Sequence, residues 1–394
     1  MLRRSIVTLV ILLTTGCNRS SETPASSGTG CIERYEPSRD YFPEKITPEF
    51  ASNFSVEYHN SYKVVSVRRP SDGGAENKYV LLQCGAPAPV LPAELSNVPT
   101  VTIPITSLFS SSATQMQVLV DLERVSALKG VGQARYITAE PVMEWIRQGH
   151  VTEYAPNDVI DTEMVILKSP SVVMSSGGYV EAYAALRKAG IVVVDNMDWQ
   201  EPSALARAEW LKFMALFLNE EASARRKFDA IRDRYMVLKE RTAHIPEKDR
   251  PRVMTGIVYR GMFEIAGGAS YVSRLISDAG GIYVWSDNTA AGGTSVDLES
   301  QITRAAGADI WINGADWKSR KAMLAEERRY KEFKAFQRGE VWSYNRIVTP
   351  GGGYDYWSRG VTRPDLILGD LIKIFHPELA RDHEFVWYKQ VPAE

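Results

Sequence analysis

The sequence predicts an α/β protein: two doubly wound lobes with mainly parallel sheets, joined by one long backbone helix, plus a small N-terminal β appendage. Three observations predict it. Short apolar strands alternate with amphipathic helices in two blocks, residues 101–196 and 251–391, the pattern of a mainly parallel sheet covered on both faces. A helical stretch from Ser203 to about His244 separates the blocks. Residues 50–85 carry β signals (FSVEYH, YKVVSVRR and KYVLLQC), parted by Asn-Ser and Asp-Gly-Gly turns. The chain therefore divides into a signal segment 1–17, a tether 18–40, the appendage 41–100, an N-terminal lobe 101–219, the connecting helix 220–245 and a C-terminal lobe 246–394.

Bulk properties agree. A chain of 394 residues suits two compact units, and 44% hydrophobic with 24% charged residues is the balance of a globular protein. A net charge of −2 argues against nucleic-acid binding, which needs a basic surface to displace counterions.

Arg3 and Arg4 precede the apolar run Ile6 to Leu13, which is too short to span a bilayer. With small residues before Cys17, the segment reads as an export signal. Gly16-Cys17 is similar to the lipobox of bacterial lipoproteins, which implies lipidation of Cys17 and a membrane anchor outside the cytoplasm. Thr14 departs from that pattern, holding the place where Leu is usual. The other reading is an ordinary secretory signal with an incidental cysteine. Residues 18–30 (NRSSETPASSGTG) form a polar spacer. Cys31 and Cys84 then remain, an even number in an exported chain: a disulfide, or two buried thiols. His59, His150, His244, His376 and His383 are scattered, and no Cys or His spacing builds a metal site. His376, directly before Pro377, reads as a helix-end cap.

After the Pro-rich stretch 87–104, TVTIPI opens the first block as a strand. A helix over Ala113–Leu122, the strand LKGVG, helices at 141–147 and 163–167, the strand SVVMSS, a helix over 180–189 and the strand IVVVDN follow. Asn219 splits the middle stretch as an N-cap, and Phe228, Ile231, Tyr235 and Leu238 share one face of the second helix. About 24 residues of helix reach roughly 36 Å, enough to cross two lobes. The second block offers strands RVMTGIVY, FEIAG, ADIWING, GEVWSY and FVWYKQ, with helices near 270–279, 297–306, 319–327 and 362–375. Two lobes on a rigid crossover imply a ligand cleft between them, at strand carboxyl ends.

Four stretches carry a resemblance: EPSALARAEWLKFMALFLNEEA (201–222), GGASYVSRLISDAGGIYVWSDN (267–288), VDLESQITRAAGADIWING (296–314) and GGYDYWSRGVTRPDLILGDLIKIFHPEL (352–379). With them the chain resembles the solute-binding proteins of cobalamin and iron–siderophore ABC importers, the class III periplasmic binding proteins whose lobes share one backbone helix. The resemblance implies capture of a chelated-metal compound, an iron–siderophore or related ferric chelate ahead of cobalamin and haem. It also implies delivery to an ABC permease and its ATPase, with no cofactor beyond the Fe(III) or cobalt already inside the ligand. A monomer held at the membrane only by its lipid is expected. In this family a glutamate at one helix start on each lobe engages permease arginines; the matching positions are Glu163, after Asp161-Thr162, and Glu299, after Leu298. First-turn acids also simply suit the helix dipole.

A chelate whose metal is already coordinated needs aromatic walls and hydrogen-bond donors rather than metal ligands. Loops at predicted strand ends supply Tyr136, Tyr179 and Trp199 in the first lobe, and Tyr259, Arg260, Tyr271, Trp317, Tyr354, Tyr356 and Trp357 in the second. Arg260 suits an anionic chelate, or else pairs with Glu264. With nine Trp and eighteen Tyr, most aromatics must be core; Trp210, Trp311, Trp342 and Trp387 sit inside predicted elements and are assigned there. Gly351-Gly352-Gly353 lacks the Lys-Ser/Thr of a phosphate loop and reads as a sharp turn or close backbone approach. Two competing readings are an enzyme on the same scaffold, for which no Gly-x-Ser-x-Gly or His-Glu-x-x-His motif is present, and a free-standing capture lipoprotein. A receptor for free Zn²⁺ or Mn²⁺ is disfavoured by the scattered histidines.

Overall fold

The computed structural model of the chain describes residues 30–394 except Tyr179 and Ala315. The signal segment, Cys17, most of the spacer and Tyr179 lie outside the described residues.

The appendage is a four-stranded sheet. Strands β1 (Phe54–Tyr58), β2 (Tyr62–Arg69) and β3 (Ala75–Gln83) form an antiparallel meander, and β4 (Thr100–Ile103) joins β3 in parallel. TVTIPI therefore belongs to the appendage and does not open the first lobe. The strand that does is β5 (Leu108–Ser110), three wholly buried residues that are too few to show a period. Cys31 and Cys84 are joined by a disulfide, their Cα atoms 4.8 Å apart.

This sheet shares a core with the first lobe. Phe54 stands edge-on to Trp210 and Phe213, at 5.1 and 5.5 Å. Two buried carboxylates, one just before the helical stretch and one within it, receive the chain leading into β1. Glu209 accepts the N–H groups of Glu49, Phe50 and Ala51 at 2.7–2.8 Å, and Glu201 those of Ser52 and Asn53 at 3.0 and 2.9 Å. Buried Lys63 donates to Leu216 O and Asn219 Oδ1, both at 2.9 Å, and pairs with Glu221.

The N-terminal lobe continues with α1 (Met116–Asp121), β6 (Leu128–Val131), α2 (Glu140–Arg147), β7 (Thr152–Glu153), α3 (Thr162–Lys168), β8 (Val172–Ser175), α4 (Val180–Lys188) and β9 (Val193–Asp195). Its five strands are all parallel, in the order β7-β6-β5-β8-β9. The order reverses between β5 and β8, so a crevice lies beyond their carboxyl ends.

The middle stretch forms α5 (Ala204–Ala208), α6 (Trp210–Leu218) and α7 (Glu221–Ala243). Asn219 does mark a break, but not as an N-cap: it is the left-handed C-cap of α6, φ 55°. Its side chain is occupied by Lys63 and, at 2.7 Å, by Gln83, which leaves it no capping oxygen for α7. Helix α7, 23 residues and roughly 34 Å long, links the lobes. Glu221 ties its start to the appendage, and Tyr235 and Lys239 meet Asp278 of the far lobe at 2.8 and 3.0 Å.

The C-terminal lobe comprises β10 (Arg252–Thr255), β11 (Ile257–Tyr259), β12 (Met262–Ala266), α8 (Tyr271–Asp278), β13 (Ile282–Tyr283), β14 (Gly293–Val296), α9 (Leu298–Ala305), β15 (Ile310–Ile312), α10 (Arg320–Glu326), α11 (Lys334–Arg338), β16 (Trp342–Ser343), α12 (Arg359–Thr362), α13 (Pro364–Phe375) and β17 (Lys389–Gln390). β13, β10 and β15 form its parallel core, whereas β11-β12-β14 and β16-β17 are antiparallel. RVMTGIVY breaks at Gly256, φ 101°, where a Cβ would lie 2.0 Å from Glu264 O. FVWYKQ pairs only at its end, because the N–H groups of Val386, Trp387 and Tyr388 turn to the buried Asp370 carboxylate at 2.8–3.0 Å. His376 is the C-cap of α13, its Nε2 3.1 Å from Gly280 O. Trp210, Trp311 and Trp387 are buried in the cores, and Trp342 packs against one of them.

Candidate functional site

The crevice at the N-lobe switch point faces the C-lobe, and together they enclose a cleft of about 560 Å³. Ser112 and Thr114, beyond β5, and Ser176, beyond β8, supply hydroxyls from one side. Ser111 Oγ ties the two strand ends, lying 3.3 Å from Ser176 Oγ and accepting Ser176 N–H at 3.1 Å. Trp199, beyond β9, is 42% exposed and donates its indole N–H to Ser176 O at 3.0 Å, which fixes the ring on the rim. The C-lobe contributes Ala266, Ser270, Tyr271, Gly292, Gly293 and Trp357.

Arg207 reaches this cleft from α5. Ser203 Oγ accepts Ala206 N–H at 3.1 Å to start the helix, and all five residues of α5 are buried. The Arg207 guanidinium donates to Asp198 at 3.0 Å and lies 4.5 Å over the Tyr271 ring, while its Nε has no partner among the described residues. Burial works to lower its pKa, but Tyr271 and Asp198 outweigh that and hold it above the usual arginine range. The Tyr271 hydroxyl is pushed up, by burial first, and stays a neutral phenol. Trp357 stands edge-on to Tyr356 and Tyr344, at 4.9 and 5.5 Å. Among the described residues the cleft thus combines three aromatic walls, several hydroxyls and one fixed cation. Among the described residues no three His, Cys, Asp or Glu side chains stand together as a metal-holding group.

Residues 110–346 match the sequence profile of a family described as periplasmic binding protein. The chain belongs to the periplasmic binding protein family. An uncharacterized lipoprotein of Methanocaldococcus jannaschii is 23% identical over 306 residues, 74% of this chain and 71% of the relative. The Helicobacter pylori CeuE structure with Ni(II) bound superposes with a TM-score of 0.55 at 15% identity, covering 72% of this chain and 88% of that one. A periplasmic heme-binding protein of Pseudomonas aeruginosa gives 0.53 at 16%, covering 69% and 93%. These likenesses extend to the fold, that of a class III periplasmic binding protein.

Of the residues the sequence singles out, this periplasmic binding protein brings Trp199, Tyr271 and Trp357 together in the cleft wall. Tyr136, 39% exposed, lies under the Arg135 guanidinium and against the triple-glycine loop; Tyr354, half-buried, packs on Tyr344. Tyr259 and Arg260 sit at the tip of the β11–β12 hairpin, the guanidinium 5.2 Å over the Tyr259 ring. Glu264 bonds Ser295 instead of Arg260. Two residues expected on ligand-facing loops are core. Trp317 is packed among Trp311 and Tyr330 with its N–H on Glu326 at 2.8 Å, and Tyr356 is buried against Tyr344. A loop folded back under its own lobe looks in sequence like one that faces out.

Sequence reasoning missed Arg207, Asp198 and the cleft serines. A signal for Arg207 existed: it is the one charged residue between Ala204 and Ala208, in a helix apolar all round. Glu163 and Glu299 occupy equivalent places, in the first turns of α3 and α9 behind the N-caps Asp161 and Asp297, which accept Met164 and Ser300 N–H at 2.9 and 2.8 Å. Both are exposed, and Glu299 is held by Arg329.

Proposed function

We infer that the protein is an extracytoplasmic, lipid-anchored solute-binding protein that captures a chelated-metal compound, an iron–siderophore or related ferric chelate, and hands it to an ABC importer. The observation carrying this reading is Arg207: a desolvated cation in an aromatic-walled cleft, paired among the described residues with one carboxylate, Asp198. An anionic chelate would meet a donor that water does not screen and three rings that pack its organic periphery. A volume of about 560 Å³ is in the ordinary range for a small-molecule site.

Haem is the second reading, supported by the Pseudomonas aeruginosa protein's name and by the apolar walls. Haem iron takes a His, Cys, Met or Tyr ligand, and Tyr271, which among the described residues is the one of these lining the cleft, lies beneath Arg207. The ferric chelate therefore ranks first. Lipid anchoring through Cys17 is supported by the lipobox and by the relative's name. Docking through Glu163 and Glu299 is supported by their matched helix starts.

Titration of intrinsic fluorescence tests the ligand class, since Trp199 and Trp357 line the site. Ferric chelates of hydroxamate, catecholate and citrate type, haemin and cobalamin are compared on one preparation. Saturable quenching by an anionic ferric chelate is expected; quenching by cobalamin alone overturns the assignment.

A further inference from the structure

Away from α7 and from the Arg207–Tyr271 contact the lobes also meet at a junction that includes the triple glycine. Thr138, between β6 and α2, donates its hydroxyl to Asp355 Oδ1 of the other lobe at 2.9 Å. The other oxygen of the buried Asp355 is fixed within its own lobe by Trp387 Nε1 and Arg359 Nε, each at 2.9 Å. Thr349 donates to Arg135 O at 3.1 Å, again across the lobes, and its hydroxyl also accepts Gly353 N–H at 2.9 Å.

Between these two bonds the loop lies directly on N-lobe backbone. A Cβ on Gly351 would fall 2.5 Å from Arg135 O, and one on Gly353 would fall 2.3 Å from Tyr136 O. Neither glycine has positive φ, so the requirement there is closeness of approach; only Gly352, φ 85°, is a conformational glycine.

We propose that residues 349–355 form a clasp that fixes the opening between the lobes, with Asp355 and Thr138 as positioning residues for the cleft. Asp355 opens the short turn Asp355–Trp357, so the carboxylate that grips the N-lobe is rigidly joined to Trp357, a cleft wall. One end of the connection is a buried carboxylate with two donors of its own lobe. The other is the half-buried hydroxyl of Thr138, which among the described residues bonds Asp355 alone. The inference is independent of what fills the cleft.

Thr138→Val tests it, because the change keeps shape, removes one hydroxyl and leaves both cores untouched. Spin labels are placed on Leu167→Cys of α3 and Ala325→Cys of α10, both exposed, in the full chain carrying Cys17→Ser. Pulsed EPR then reads the inter-lobe distance. The native side chain gives one narrow distribution; Thr138→Val broadens it toward longer distance, and Thr138→Ser restores it. The thermal midpoint moves by no more than about 3 °C, as one net hydrogen bond in a large chain requires. Gly353→Ala lengthens the distance independently. Superimposable distributions for native and Thr138→Val overturn the clasp, and an unmoved Gly353→Ala overturns the role given to the glycines.

Discussion

Replacing Arg207 separates its structural task from the recognition task proposed for it. Arg207 and Asp198 are both nearly inaccessible and 3.0 Å apart. Arg207→Met alone leaves the Asp198 carboxylate buried without its partner, and breaking such a pair costs about 3–5 kcal/mol. Adding Asp198→Asn removes the stranded charge, and since apolar or neutral replacement of a whole buried pair is often close to neutral, most of that loss returns. Binding behaves differently. Both variants lack the guanidinium, and losing a hydrogen bond to a charged group costs about 1.5–3 kcal/mol, so both bind an anionic ferric chelate about ten- to 150-fold more weakly. Urea unfolding gives the stabilities and fluorescence titration the affinities. A double variant that regains stability and binds the chelate as the native protein does would refute the recognition role. Unchanged stability in Arg207→Met would refute the claim that the pair is desolvated.

Other expectations follow from the same structure. Glu163→Gln with Glu299→Gln abolishes chelate uptake in cells while titrated affinity stays native; uptake at the native rate would remove the docking role. Asp365 accepts from Arg363 at 2.9 and 2.8 Å and from Arg234 at 2.8 Å. Burial works to raise its pKa, but the two arginines outweigh it and hold it below 3.8. With the folded pKa depressed, its contribution is present above the unfolded value and lost as pH falls through the folded one. Asp365→Asn should thus cost about 1.5–3 kcal/mol at pH 7 and progressively less below about pH 4, measured by urea unfolding at each pH. Cys31 and Cys84 are 53 residues apart, so Cys31→Ser with Cys84→Ser lowers stability by up to about 4 kcal/mol, read by denaturant midpoint under non-reducing conditions.

The two-lobed architecture is legible because its signals are long. Twenty-three residues of α7 and the α/β alternation repeat their period often enough to survive local exceptions. What fails is short or non-local. β5 has three residues, all buried. Phe385–Tyr388 has ideal strand composition, yet the N–H groups of Val386, Trp387 and Tyr388 are claimed by Asp370, 16 to 18 positions earlier, which no window can see. Trp199 and Tyr271, which line the cleft, are legible because they stand shortly after strands. Trp317 was misplaced because loop composition does not record the direction in which a loop folds. Arg207 escaped notice because it lies inside a helix, where charge is ordinarily read as surface.

The family's profile begins at residue 110, but the folding unit does not. A polypeptide trimmed to that boundary would keep Glu201 and Glu209 but delete the five amides they accept, leaving them Trp210 and Lys212, and would bare to water the apolar face that Trp210 and Phe213 turn to Phe54. Domain limits drawn from shared ancestry would here yield an aggregating fragment; expression should begin upstream of Cys31.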